Sequence, residues 1–373
     1  MKLEAVELRR LRVPLVSPFR TSFGVETERD VLLVKAITPE AEGWGECVAM
    51  AEPLYSSEYV DGAEDVIRRH LLPRLFGQSD LTASKVGPEL EAVKGHNMAK
   101  AALETAILDA ELRAERRSFA EHLGAVRDDV DCGVSVGIMD SIPELLDAVS
   151  GYLDQGYLRI KLKIEPGWDV DPVRKVRERF GDIMLQVDAN TAYTLRDAAH
   201  LARLDPFDLL LIEQPLPEDD VLSHAELARR IKTPVCLDES ITSARAAADA
   251  IRLGACAIVN IKPGRVGGYL EARRVHDVCA ANGVPVWAGG MLETGIGRAG
   301  NVALAALPNF TLPGDTSASD RYYRRDLTDP FVMHDGKLRV PEGPGLGVTP
   351  IPEILDELTQ RTETLTGSGV HSM

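Results

Sequence analysis

Five short apolar runs between Lys161 and Lys262 each carry an ionisable residue at or near the end: IKLK, LQVDAN, LLIEQP, VCLDES and VNIKPG. Their charges recur at an almost constant interval. Lys163 to Asp188, Asp188 to Glu213 and Glu213 to Asp238 are each 25 residues, and Asp238 to Lys262 is 24. One strand, one helix and two short loops fill such an interval. Helix-like segments such as HAELARRI and SARAAADAIRLG lie between the runs, so the pattern is an alternation of β and α that builds a parallel sheet. The beat continues outward. Ser135 precedes Lys161 by 26 residues, Gly289 follows Lys262 by 27, and Asp315 follows Gly289 by 26. Eight strand ends close a (β/α)₈ barrel, and the C-terminal strand ends of such a barrel carry its chemistry.

Side chains alternate along a strand, so Lys161 and Lys163 share a face. The same parity joins Gln186 to Asp188, Leu211 to Glu213, Cys236 to Asp238 and Asn260 to Lys262. One barrel mouth therefore receives lysines on its second and sixth strands, opposed across the ring, and acids on the third, fourth and fifth. A single charge at a strand end is ordinary surface chemistry; five in phase are not. Three carboxylates brought together repel unless protonated or neutralised by a cation. An all-oxygen donor set favours a hard divalent ion, Mg²⁺ or Mn²⁺.

Composition narrows the function classes. The chain has 373 residues, 42 basic against 58 acidic, a formal charge of −16 and a pI near 5.0, which argues against nucleic acid or an anionic membrane as a partner. The five cysteines sit in apolar surroundings without ligand spacing and read as free thiols of a reducing compartment. No run is long enough to span a bilayer and the N-terminus has no secretory pattern, so a cytoplasmic location is expected.

Residues 1–126 ignore the 25-residue beat. Strand-like runs (VELRRLRVPL, DVLLVKAI, GWGECVA) precede helical stretches at 57–75 and 97–116, the signature of a separate α+β domain. The barrel is expected over 127–322. A segment at 323–361, with strand-like FVMHDGKLRV and amphipathic IPEILDELTQ, is expected to return to the first domain, and 362–373 to be a disordered tail. The loops SPFRTSFG and CVAMAEPLYSSE expose Phe19, Phe23, Met50, Leu54 and Tyr55; they read either as lids over the barrel mouth or as staples between the domains. The glycine-rich GRVGG and AGGMLETGIG lack phosphate-loop spacing, but their backbone amides at helix starts suit a carboxylate. No histidine occupies a strand end, and Ser135 lies outside any nucleophile elbow, so it reads as a hydrogen-bond donor.

A divalent ion between two opposed lysines suits removal of a proton beside a carboxylate, because an enediolate needs its two oxygens stabilised. The base must be a neutral amine, with its pKa brought well below about 10.4. Lysines on opposite faces of one carbon can take a proton from one side and return it on the other.

These residues resemble the enolase superfamily, in the muconate-lactonizing-enzyme-like subgroup; KxK, D-A-N, E-Q-P, D-E-S and N-I-K-P-G match in order. Within it, SPFRTSFG, GWGECVAM, KLKIEPGWDV, VDANTAYTL, KPGRVGG and GGMLETGIGR are similar to the N-succinylamino acid racemase and o-succinylbenzoate synthase family. The resemblance implies a modified TIM barrel of (β/α)₇β type with an α+β capping domain formed by the N-terminal region and the C-terminal segment. It implies Mg²⁺ on Asp188, Glu213 and Asp238, with Mn²⁺ or another divalent ion able to substitute. Lys163 and Lys262 become the acid/base pair, and Lys161 contacts the substrate carboxylate and tunes Lys163. Asn190 and Glu239 stand behind the ligands. Ser135, Gly290, Met291 and Asp315 line the acyl side, with Phe19, Phe23 and Met50 from the lids. Arg265 is placed to help Lys262 lose its proton, against the plainer reading of a surface salt bridge. The implied substrate is an N-acylamino acid or a succinyl-cyclohexadiene carboxylate, and association into a homo-oligomer is expected. Dipeptide epimerase, cycloisomerase, a Schiff-base lyase and a non-catalytic binder of acylated amino acids are the competing readings.

Overall fold

The computed structural model describes residues 1–367. The chain opens with three antiparallel strands, β1 (Ala5–Thr21), β2 (Gly24–Ile37) and β3 (Glu42–Cys47). In β1 the buried positions alternate at Val6 and Leu8, then at Leu11 and Val13 beyond a register shift. In β2, Val31 through Val34 are all buried, because the sheet is covered on both faces. The helix Asn97–Glu115 lies against β3, and a Cβ on Gly43 or Gly45 would strike its backbone at Ala102, Ala106 and Ala110. Helical structure runs from Val60 to Phe76, a start three residues later than the sequence suggests. Two further helices, Ala83–Leu90 and Phe119–Leu123, carry no signal strong enough to predict.

After β4 (Asp129–Asp131), seven parallel strands form a second sheet: β5 (Gly133–Val136), β6 (Arg159–Lys163), β7 (Met184–Asp188), β8 (Ile212–Glu213), β9 (Val235–Leu237), β10 (Ile258–Ile261) and β11 (Val286–Ala288). Their spatial order follows the sequence. The expected eighth strand before Asp315 is not a strand. Residues 309–315 close the ring through isolated contacts instead: Gly133 N donates to Gly314 O at 2.7 Å and Asp315 N to Ala288 O at 2.8 Å. Pro308 and Pro313 supply no N–H groups to a ladder, which accounts for the irregular closure.

The chain then returns to the first sheet. β12 (Lys337–Arg339) pairs with β4, a short remnant of the longer strand expected there. The helix Pro352–Leu358 leads into β13 (Thr359–Thr366), which pairs antiparallel with β1. This corrects the expected disorder from residue 362 onward as far as Thr366; the part of that expectation covering 368–373 lies outside the described residues.

Two buried carboxylates join the capping sheet and its helix to the barrel. Glu46 on β3 accepts from Thr294 Oγ1 at 2.6 Å, Thr294 N at 3.1 Å and Gly297 N at 3.0 Å, at the start of helix Gly295–Ala305. Glu104 accepts from Leu270 N at 3.1 Å, at the start of helix Tyr269–Ala281. The amides of AGGMLETGIG thus do meet a carboxylate, but the protein's own Glu46, whereas at GRVGG the acid is met by Leu270 N, just past the motif; both acids complete helix starts.

Candidate active site

Register assembles the site. Lys163 pairs with Asp188, and Asp188 with Glu213, across adjacent parallel strands. Asp238 lies two residues beyond Cys236, the partner of Glu213, and so returns to the same face. After β7 and β8 the backbone turns sharply: Asn190, Thr191 and Gln214 take φ of 41°, 66° and 35°. Gln214 uses that bend to bind the next strand end, its Oε1 accepting from Asp238 N at 3.0 Å and Ser240 N at 3.2 Å. Sequence reasoning gave Gln214 no role, although the E-Q-P motif carries it.

Cations thread the acids. Lys161 Nζ lies 2.7 Å from Asp315 Oδ2, 3.0 Å from Glu213 Oε2 and 3.3 Å from Asp188 Oδ2, over the Trp287 ring. Lys163 Nζ donates to Asp188 Oδ2 and Asn190 Oδ1, both at 2.6 Å. Lys262 Nζ donates to Asp238 Oδ2 at 2.8 Å. Arg265 pairs with the other oxygen of Asp238 and donates to Ile241 O at 2.8 Å and Asn260 O at 2.7 Å. It is buried, not the surface salt bridge of the plainer reading. Asn190 Nδ2 reaches Glu239 Oε1 at 2.9 Å.

Burial and charge set the protonation. Burial alone would lower Lys161, but Asp315, Glu213 and Asp188 outweigh it and hold the ammonium above its ordinary range. Lys262 behaves likewise, burial being outweighed by Tyr55, Glu239 and Glu213. This is opposite in direction to the lowered pKa that a lysine base requires, and the cause is the carboxylates packed around both amines together with Tyr55 beside Lys262. Burial would raise Asp188 and Asp315, yet Lys163 and Lys161 hold Asp188 low, and Lys161 and Arg159 hold Asp315 low. Burial and the charge of Asp188 raise Glu213, and push Glu239 up to about 7.

Asp188, Glu213 and Asp238 do not form a bare carboxylate cluster: among the described residues no group of three acidic, histidine or cysteine side chains is drawn together at metal-ligand spacing. Lysine and arginine groups stand between them. The donor chemistry nevertheless fits a hard cation, since all three side chains offer oxygen from adjacent strand ends. A fourth, Glu239 Oε2, is buried without a hydrogen-bond partner.

Above this layer lies a cavity. Lys161, Lys163, Asn190 and Lys262 form its floor, Ser135, Gly290, Met291 and Asp315 one wall, and Phe19, Phe23 and Met50 its roof. The acids, Glu239 and Arg265 lie behind the lysines. Ser135 Oγ is buried and has no protein partner. The roof belongs to the capping domain. Residues Ser17–Gly24, read as a loop, are mostly a hairpin whose tip docks on the turn that follows β7 through Ser22 Oγ, 3.3 Å from the carbonyls of Ala189 and Asn190. Met50 and Tyr55 are buried rather than exposed; only Leu54 faces solvent. Thr21, Glu26, Tyr55, Leu292 and Tyr322 complete the lining. Tyr322 falls in the polar SASDRYYRRD stretch, which the sequence marks only as a connection.

Residues 5–124 match the N-terminal domain of the mandelate racemase / muconate lactonizing enzyme family, and residues 144–354 match the family described as Enolase C-terminal domain-like. An N-succinylamino acid racemase of Amycolatopsis sp. is 74% identical over 360 residues, covering 96% of this chain and 98% of that protein. An o-succinylbenzoate synthase of Geobacillus kaustophilus is 47% identical, covering 93% of each chain. The solved structure of an enolase superfamily member from Listeria innocua superposes with a TM-score of 0.94 at 39% identity, over 98% of this chain and 99% of that one. Enzymes of this family act with a divalent metal ion. The chain is an enzyme of the enolase superfamily, and belongs to its N-succinylamino acid racemase and o-succinylbenzoate synthase family.

Proposed function

We propose that the chain racemises N-acylated, in particular N-succinylated, amino acids with Mg²⁺, by transferring the α-proton between Lys163 and Lys262. The observation that carries this reading is that both amines line one cavity from strands β6 and β10, four places apart in strand order. Asp188, Glu213 and Asp238 would hold the ion, and their all-oxygen set favours Mg²⁺. When bound, it supplies positive charge to the two carboxylate oxygens beside the acidified carbon. Lys161, at the cavity floor, offers a further cation to the same carboxylate. Tyr55 and the carboxylates around Lys262 favour its charged amine, the form that returns a proton to the carbon. The capping hairpin and the Met50–Tyr55 segment exclude water.

The chemical test is loss of the α-proton of N-succinyl-phenylalanine in D₂O, followed by NMR. Both enantiomers are expected to exchange, and Lys163→Ala or Lys262→Ala to abolish racemisation. An absence of exchange with Mg²⁺ present sinks the reading.

A second activity in the same site, dehydration to o-succinylbenzoate, is supported by the 47% identical synthase. Turnover of the succinyl-cyclohexadiene carboxylate, read by ultraviolet absorbance, tests it. Among the described residues no helix is long and apolar enough to cross a membrane, and the five cysteines are free. Both observations suit the cytoplasm.

A further inference from the structure

The two lysines are not held alike. Lys163 Nζ rests on Asp188 and Asn190, both barrel residues. Lys262 Nζ rests on Asp238 and, at 3.1 Å, on the hydroxyl of Tyr55, with the ammonium 4.6 Å from the Tyr55 ring centroid. Tyr55 comes from the other domain, in the segment between β3 and the helix starting at Val60. The same hydroxyl lies 3.3 Å from Arg265 Nη1 and 3.3 Å from Asp238 Oδ2. Tyr55 also lines an outer pocket that it shares with Glu239, Thr242 and Arg265, so it borders both that pocket and the cavity that Lys262 lines.

We propose that Tyr55 is a positioning residue for Lys262 alone, which makes one of the two proton-transfer faces depend on the seating of a capping-domain loop. This rests on the two-lysine reading above. A lysine side chain has four rotatable carbons, and its amine is productive only when aimed at the α-carbon. On β6 the barrel supplies that aim through Asn190. On β10 the second contact is a tyrosyl oxygen and a ring face delivered from outside the barrel. Seating of the loop therefore orders Lys262, and its lifting for substrate entry or product release frees Lys262 while leaving Lys163 fixed.

The test uses Tyr55→Phe with Mg²⁺, given each enantiomer of N-succinyl-phenylalanine separately in D₂O. The initial rate of α-proton loss from one enantiomer reports Lys163, and from the other Lys262; Lys262→Ala, run in parallel, identifies which. Removing the hydroxyl is expected to slow exchange at the Lys262 face about tenfold relative to the Lys163 face. Tyr55→Leu, which also removes the ring, widens that ratio. Lost cavity contacts weaken binding of both enantiomers and leave the ratio of the two rates unchanged. An equal fall for both enantiomers, or a fall confined to the Lys163 face, overturns the proposal. Exchange absent from the parent enzyme with either enantiomer is a different result, and it removes the two-lysine reading itself.

Discussion

Lys161 Nζ lies 2.7 Å from Asp315 Oδ2, tying β6 to the irregular segment that stands in the eighth place of the ring. The other oxygen of Asp315 accepts from Arg159 at 2.9 Å, so one carboxylate compensates two buried cations. Asp315→Asn leaves Arg159 without a carboxylate partner and Lys161 with only Glu213 and Asp188. The expected cost is about 3 kcal/mol, the range found when one member of a buried ion pair is removed. Urea unfolding of the variant checks it; a loss below about 1 kcal/mol would show that the ring closes without this tie.

Gly45→Ala tests the seat of the capping sheet. A Cβ there meets Ala102 O of helix Asn97–Glu115 well inside contact distance, and Ala106 N as well. Both obstacles are backbone and cannot rotate away. The strand must lift, at about 2–3 kcal/mol by the scale of overpacked cores. Since β3 also carries Glu46, the lift should loosen the start of helix Gly295–Ala305. Hydrogen exchange at Gly297 N, faster in the variant than in the parent, reads that coupling.

The barrel was legible because its strand ends are charged. Asp188 and Glu213 end their strands, and Asp238 and Lys262 follow theirs by one residue. The 25-residue interval therefore tracked real register. It misled at Asp315, where spacing persisted but Pro308 and Pro313 removed the ladder. β13 escaped notice because TQRTETLT is largely exposed at a sheet edge and shows no apolar alternation; only its threonines hint at a strand. The ionic partners were beyond reach for another reason. Residue types at strand ends predict a crowd of charges, but only coordinates tell that Lys161 bridges Glu213 and Asp315, or that Tyr55 sits on Lys262.

Metal binding has a readout apart from turnover. A divalent ion that binds only the folded chain stabilises it by about 2.7 kcal/mol when present at a hundred times its Kd. Titrating Mg²⁺ into chelator-treated protein should raise the melting temperature and give one site by calorimetry. Asp188→Asn, Glu213→Gln and Asp238→Asn should each remove both effects. If the three variants bind the ion as the parent does, the ligand assignment is wrong.

The carboxylates that dock the cap on the barrel predict how stability follows pH. Burial is the main cause that pushes Glu104 up to about 8 and Glu46 up to about 7, while in the unfolded chain a glutamate titrates near the ordinary value of about 4.3. Between the unfolded and folded values the native state holds protons that the unfolded state has released. Stability contributed by each group is therefore complete below the unfolded pKa and declines as pH rises. For Glu104 the decline runs to about 8, and for Glu46 to about 7. The slope for one such group approaches about 1.4 kcal/mol per pH unit at most. Glu104→Gln keeps an acceptor for Leu270 N but has no proton to lose, so its unfolding free energy should fall less steeply than the parent's from about pH 5 to 8. Denaturant curves at half-unit steps would show the two converging or crossing toward the alkaline end; parallel lines across the window would mean that Glu104 is ionised in the folded protein throughout.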